Sequence, residues 1–170
     1  MRSQSIPRPA DTRAAPPVRL RPAATGLVRR DSPLAPRTVT TLVVDASFAL
    51  RACAVEGGFG ILGDTRIAAP ALMWSEGRSV IHETLWRRKI EPDDAIATYR
   101  RLGSCPVERI ERPDLHDEIW RVATELGWAK TYDAEYVALA RLLDCRLVTL
   151  DARLRRGADR LGFVVAPDEL

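Results

Sequence analysis

Residues 131–154 read TYDAEYVALARLLDCRLVTLDARL, and this stretch decides the fold. Its first half has helical spacing, because Asp133, Val137 and Ala140 fall at positions i, i+4 and i+7 on one helix face. Residues 147–150 form a short, apolar and partly β-branched run, which is typical of a buried strand. Asp151 follows that run directly. The stretch therefore predicts a helix–strand unit of a parallel sheet, with a carboxylate at the carboxyl edge.

The same pattern occurs near residue 45, where Asp45 directly follows the apolar run 42–44. In a parallel sheet both acids emerge at the same edge, where ligands of open α/β folds bind. If the two strands are neighbours, Asp45 and Asp151 face each other across one crevice. An acid after a strand can also simply start a turn or cap a helix, and this alternative stays open for each of them.

Outward from these two runs, the pattern alternates strand and helix and predicts an α/β fold on a mostly parallel sheet, with helices on both faces. The predicted strands cover residues 42–44, 66–69, 107–110, 147–150 and 163–165. The predicted helices cover residues 47–56, 71–88, 92–102, 114–126 and 132–143, and Gly127 is expected to end the fourth of these.

The first 40 residues differ in composition from the rest of the chain. They hold seven prolines, eight arginines and two aspartates, whereas the remaining 130 residues carry a net charge of −3. We interpret residues 1–40 as a disordered Pro/Arg-rich leader and residues 41–170 as one domain. A start codon assigned too far upstream would also produce such a leader. The Arg29-Arg30 pair lacks the apolar run of a secretory signal after it, and no stretch is long and apolar enough to span a membrane.

Neither the three cysteines nor the glycine-rich segment predicts a function. Cys53, Cys105 and Cys145 are odd in number and far apart, which argues against a disulfide framework and favours a reducing cytoplasm. Residues 58–63 spell GxGxxG, but a predicted helix precedes them and a predicted strand follows. A dinucleotide site needs the opposite order, so we expect a flexible loop.

Two further acids lie on helices. Asp133 is in line with buried apolar residues, where a carboxylate is costly without a partner, although a first-turn helix cap is the alternative. Spacing alone does not favour Glu76 over Glu83.

Carboxylates gathered at one edge of a sheet repel one another, and a divalent cation relieves this repulsion. A site with oxygen ligands alone selects Mg²⁺ or Mn²⁺. His82 and His116 are not expected to lie together, which disfavours a metal-free ribonuclease.

Three ordered motifs resemble the PIN-domain ribonucleases, especially the VapC-type toxins of toxin–antitoxin pairs. They are TLVVDASFAL at residues 41–50, APALMWSE at residues 69–76, and the stretch at residues 131–154. The resemblance covers residues 41–168. It implies a three-layer α/β/α sandwich around a mostly parallel sheet of four to five strands. It also implies endonucleolytic RNA cleavage with one or two Mg²⁺ or Mn²⁺ ions, leaving 3′-hydroxyl and 5′-phosphate ends.

The resemblance also assigns roles to residues. Asp45 and Asp133 would be the principal metal ligands, and Glu76 would complete the site or orient the water. Asp151 would hold a second ion or a metal-bound water. The family's small hydroxyl positions are matched by two residues expected to hydrogen bond a carboxylate or water, Ser47 and Thr149.

The expected partners are RNA, a small antitoxin and a second copy of the chain. Three arginines near the acidic edge are candidates for phosphate contacts: Arg153, Arg155 and Arg156. The four tryptophans are expected in the core or in an interface.

Two other families with an aspartate after the first strand are disfavoured. A haloacid dehalogenase phosphatase would need an acid at position 47, where this chain has Ser47. A receiver domain would need paired early acids, and the sequence has no such pair. The alternative function is a catalytically silent PIN-like protein that binds RNA or an antitoxin.

Overall fold

The structure is a computed structural model that describes residues 40–170, so the predicted leader, apart from Thr40, lies outside the described residues. Strands and helices alternate along this part of the chain, as the pattern predicted. The strands are β1 (Thr41–Val44), β2 (Arg66–Pro70), β3 (Glu108–Ile110), β4 (Arg146–Val148) and β5 (Val164–Val165). The α-helices are α1 (Ala46–Cys53), α2 (Leu72–Trp86), α3 (Pro92–Gly103), α4 (Leu115–Leu126), α5 (Tyr132–Leu142) and α6 (Ala152–Ala158).

The five strands form one parallel sheet in the order β3-β2-β1-β4-β5. β1 is central because Val43 and Val44 are fully buried, which requires cover on both faces of the strand. The chain order runs outward from β1 through β2 to β3 and continues on the other side through β4. The boundary between β1 and β4 is therefore the topological switch point, where ligands of open α/β sheets bind.

The helices pack in two groups. α1, α2 and α3 contact one another, while α4 packs against α5, and α5 lies against β1, β2 and β4. Val137 and Ala140 of α5 are fully buried, as the helical spacing predicted. Gly127 ends α4 in the left-handed conformation, with φ of 69°. The predicted three-layer α/β/α sandwich is confirmed.

The predicted strand at residues 147–150 is displaced, because β4 covers Arg146–Val148. The chain leaves the sheet early because two of its backbone N–H groups donate to side-chain hydroxyls instead of to a neighbouring strand. The N–H of Leu150 donates to Ser47 Oγ at 3.0 Å, and the N–H of Asp151 donates to Thr149 Oγ1 at 2.9 Å. Asp151 consequently lies three residues beyond β4 instead of directly after it.

The glycine-rich segment is also more regular than expected. Gly58–Leu62 forms a 3₁₀ helix in place of a loop, between α1 and β2. That context confirms that the segment is not a dinucleotide fingerprint. Gly57 enters it with φ of 68°, a conformation that favours glycine.

Two of the four tryptophans lie outside the core, and for these two the expected place in an interface stays a prediction. Trp74 is buried and Trp128 packs against the core, but Trp86 is 80% exposed and Trp120 is 72% exposed. Both lie on the outer faces of their helices, which helical spacing alone cannot orient. Among residues 40–170, no helix is long and apolar enough to cross a membrane.

Candidate active site

A cleft of about 540 Å³ opens at the carboxyl edge of the sheet, beside the switch point between β1 and β4. Its lining includes four acids from four parts of the chain, namely Asp45, Glu76, Asp133 and Asp151. A larger cavity of about 800 Å³ lies at the opposite, amino edge of β1 and β4, but its lining holds a single acid, Asp144. The concentration of acids selects the smaller cleft as the candidate site.

Asp45 is 5% exposed and is held by three neighbours. It caps α1 by accepting a hydrogen bond from the N–H of Phe48 at 2.9 Å. Thr149 Oγ1 donates to its Oδ2 at 2.6 Å, and Ser47 Oγ lies 2.8 and 2.9 Å from its two oxygens. Capping and cleft placement, treated above as alternatives, therefore occur together in one side chain.

Asp151 caps α6 in the same way, with Oδ1 accepting from the N–H groups of Arg153 and Leu154. Within the described part of the chain, its Oδ2 has no hydrogen bond partner. Capping thus fixes the orientation of this carboxylate while one oxygen remains available to the cleft.

Glu76 and Asp133 reach the cleft from α2 and α5. The hydroxyl of Tyr136 donates to Glu76 Oε2 at 2.5 Å, and Tyr136 itself is 1% exposed. Asp133 is the second residue of α5 and is half-buried, and its side chain makes no hydrogen bond to the residues that the structure describes. It is therefore not a helix cap, which was the open alternative.

Like charges accumulate in this cleft. Burial raises the pKa of Asp45, Glu76 and Asp133 above its usual range, and neighbouring carboxylates raise it further. The charge of Asp151 raises the pKa of Asp45 and of Asp133. The charges of Asp133 and Asp45 raise the pKa of Glu76. Burial and the adjacent Glu76 also raise the pKa of Tyr136, so its phenol remains a hydrogen bond donor. A cation in the cleft would relieve the repulsion.

The donor set suits a hard divalent cation, since it contains only carboxylate and hydroxyl oxygens. Among residues 40–170, however, no three His, Cys, Asp or Glu side chains are arranged closely enough to hold an ion by themselves. Mg²⁺ fits such a site because it commonly takes one or two carboxylates and completes its shell with water and substrate phosphate.

The structure gives the three arginines expected to contact RNA different surroundings, and their contact with RNA stays a prediction. Arg153 is close enough to Asp133 to lower the pKa of its carboxyl against the larger effect of burial. Arg155 instead pairs with Glu169 at 3.0 Å, and Arg155 and Arg156 line a separate cavity of about 570 Å³.

Sequence reasoning missed Tyr136. A signal was available, because Tyr136 follows Asp133 by three residues and so lies on the same face of α5. Of the residues that were singled out, Ser47 and Thr149 lie against Asp45 as expected.

Comparisons with known proteins indicate the family of the chain. The family model described as "PIN domain" matches residues 42–160. Ribonuclease VapC9 of Mycobacterium tuberculosis and VapC ribonuclease Mb0985 of Mycobacterium bovis are each 38% identical over 117 residues, covering 66% of this chain and 87% of the relative. The crystal structure of PAE2754 from Pyrobaculum aerophilum is similar, with a TM-score of 0.58 and 28% identity over 76% of this chain and 91% of that chain.

The matched region contains the whole cleft, from the strand before Asp45 to the helix capped by Asp151. The motifs at residues 41–50, 69–76 and 131–154 all fall largely or entirely within it. The chain belongs to the PIN-domain family.

Proposed function

We propose that this protein is a divalent metal-dependent endoribonuclease and the toxin of a type II toxin–antitoxin pair. The observation that carries the proposal is the meeting of four carboxylates in one cleft at the switch point of the sheet. The family and the two mycobacterial ribonucleases support RNA as the substrate.

In this proposal Asp45 and Asp133 are the principal ligands of Mg²⁺ or Mn²⁺, with Glu76 and Asp151 completing the site. A bound ion would lower the pKa of a coordinated water and stabilise charge on the phosphoryl group. Asp45 suits its role because Phe48, Ser47 and Thr149 fix its carboxylate before any ion binds. Asp133 suits its role because nothing in the described chain competes for its oxygens.

Arg153 is the arginine that we propose to contact the RNA backbone. It is exposed and its charge lowers the pKa of the Asp133 carboxyl, so it can attract a phosphate toward the acidic cleft. Such a contact gives affinity without a choice of base, so the cleavage sequence must depend on other groups.

The first test is metal-dependent cleavage of a defined RNA by the purified protein. EDTA should abolish cleavage, and Mg²⁺ or Mn²⁺ should restore it, whereas the larger and more loosely coordinated Ca²⁺ should not. Asp45→Asn and Asp133→Asn should each lower cleavage at least about 100-fold, since each removes a charged ligand. Asp45→Asn should stay folded, because asparagine also caps helices well.

The matched control is Asp168→Asn, which makes the same change at an exposed position outside the cleft and should cleave like the wild type. Cleavage that persists in EDTA, or full activity in both cleft variants, would refute the mechanism. Metal binding without any cleavage would instead favour a silent RNA- or antitoxin-binding protein.

The proposed partner is a small antitoxin that covers the cleft, and we also propose a homodimer. An antitoxin arginine inserted among the four acids would supply the positive charge that the cation otherwise provides. Three free cysteines are consistent with action in the cytoplasm.

Expression of the chain alone should arrest growth, and co-expression of the product of the adjacent gene should relieve the arrest. Unimpaired growth, with ribonuclease activity present in the lysate, would argue against a toxin role.

A further inference from the structure

Tyr136 is buried directly beneath one of the four acids. Its ring is enclosed in the core, and its hydroxyl donates to Glu76 Oε2 at 2.5 Å. Because Tyr136 and Asp133 are three residues apart, α5 presents both to the same cleft. Because the ring is packed in the core, the hydroxyl is a well-positioned hydrogen bond donor in the lining of the cleft.

Glu76 depends on that donor for its position. Within the described chain, the bond from Tyr136 is the hydrogen bond that its carboxylate makes, so no other hydrogen bond fixes the orientation of this carboxylate. Glu83, seven residues along the same helix, is exposed and pairs with Arg87 instead. The tyrosine therefore distinguishes the glutamate that faces the cleft from the one that faces solvent.

The bond also benefits the tyrosine, since a buried hydroxyl without a partner is destabilising. The pair is thus stable in the absence of an ion. Only Oε2 is engaged, which leaves Oε1 available.

We propose that Tyr136 is a positioning residue of the nuclease, holding the Glu76 carboxylate in the cleft so that Oε1 can bind a divalent cation or its water. This inference rests on the proposed function and deepens it. Tyr136 acts through Glu76 and does not itself touch the substrate.

The test is Tyr136→Phe, which keeps the buried ring and removes the hydroxyl. Binding of Mn²⁺ alone, without RNA, is measured by electron paramagnetic resonance, and kcat and KM for RNA are measured separately. We expect the Kd for Mn²⁺ to rise about 10-fold and kcat to fall about 10-fold, as is typical when a group that orients a metal ligand is lost. KM should stay near the wild-type value because the RNA contacts are unchanged.

The matched control is Tyr99→Phe, which makes the same change at a half-exposed position on α3, away from the cleft, and should alter none of these values. A second variant, Glu76→Gln, tests the route of the effect. Adding Tyr136→Phe to Glu76→Gln should cause little further loss, because the positioned carboxylate is already gone.

Wild-type Mn²⁺ affinity in Tyr136→Phe would overturn the inference, as would a full additional loss in the Glu76→Gln background. If Tyr136→Phe fails to fold, 4-aminophenylalanine at position 136 restores a donor on the same ring. Wild-type metal affinity in that protein supports the inference, and weakened affinity overturns it.

The two proposals fail in different ways. If the wild type cleaves RNA and Tyr136→Phe binds Mn²⁺ and cleaves equally well, only the inference about Tyr136 fails. If the wild type cleaves no RNA but Mn²⁺ binding weakens in Tyr136→Phe, only the proposed function fails. A wild type that binds no Mn²⁺ would overturn both.

Discussion

At the scale of single residues, two hydroxyls connect Asp45 to the loop that follows β4. Thr149 Oγ1 accepts from the N–H of Asp151 and donates to Asp45 Oδ2, while Ser47 Oγ accepts from the N–H of Leu150 and contacts both Asp45 oxygens. Each hydroxyl thus joins a backbone donor on one side of the switch point to the carboxylate on the other. Asp45 and Asp151 are therefore positioned relative to each other before any ion binds.

Thr149→Val tests this connection with little change in shape. Valine keeps the buried volume but neither donates to Asp45 nor accepts from Asp151. We expect cleavage to fall about 10- to 100-fold, and the free energy of unfolding in urea to fall by about 1–2 kcal/mol because polar groups lose partners. Thr149→Ser keeps the hydroxyl and should cleave at close to the wild-type rate. Wild-type cleavage by Thr149→Val, together with a loss in Thr149→Ser, would show that packing of the methyl group matters instead.

The site residues were only partly predictable at this scale. Asp45 and Asp151 could be inferred because each follows an apolar run, and the position of a run in a parallel sheet fixes the edge at which its acid emerges. Glu76 could not be chosen over Glu83 by spacing, since the partner that distinguishes them is Tyr136, 60 residues away. Contacts between distant helices leave no periodic signal in either helix.

At the scale of elements, Gly77 allows α2 to approach its neighbours closely. A Cβ at this position would lie 2.7 Å from Leu102 Cδ2 and 3.6 Å from Leu50 Cδ2, and Leu102 is itself 1% exposed. The leucine therefore cannot simply move into solvent. Since Gly77 adjoins Glu76, a shift of α2 at this point would also move Glu76 in the cleft.

Gly77→Ala should consequently lower both stability and activity. Overpacking costs about 1–3 kcal/mol, which exceeds the gain of up to about 1 kcal/mol from better helix propensity. We expect a net loss of up to about 2 kcal/mol in urea unfolding. Gly103→Ala is the control, because a Cβ there meets nothing within 4 Å, and it should be neutral or slightly stabilising. A stabilised Gly77→Ala protein would show that α2 can shift freely.

Element boundaries were less predictable than element types. All five strands and the long helices were predicted, because their periodic patterns extend over enough residues to be distinctive. β4 ends two residues early, since the hydroxyls of Ser47 and Thr149 draw the chain out of the sheet. The 3₁₀ helix at Gly58–Leu62 was missed because five glycine-rich residues carry no helical stripe.

At the scale of the whole molecule, charge divides the chain into two parts. Residues 1–40 carry a net charge of +6, while the remaining 130 residues carry −3. We propose that residues 1–40 form a tail that does not contribute to the folded domain, because their proline-rich composition offers little apolar surface to bury.

Deletion of residues 1–38 should therefore leave the thermal midpoint within about 2 °C of the full chain. The measurement is circular dichroism on both proteins in the same buffer, with RNA cleavage followed in parallel. Cleavage by the shortened protein should persist, since all four acids lie beyond residue 40. A fall of many degrees would show that the first residues pack against the domain.

The central position of β1 has a consequence for the time at which the protein becomes active. β1 acquires its second neighbour, β4, only after about 100 further residues have been synthesised, and Asp45 receives its bond from Thr149 at the same stage. A nascent chain that folds from its N-terminus can form β1, β2 and β3 early, but it then has an open central strand and an incomplete set of acids. The set of four acids is thus incomplete until Asp151 has been added, and we expect a fragment that ends before β4 to lack nuclease activity.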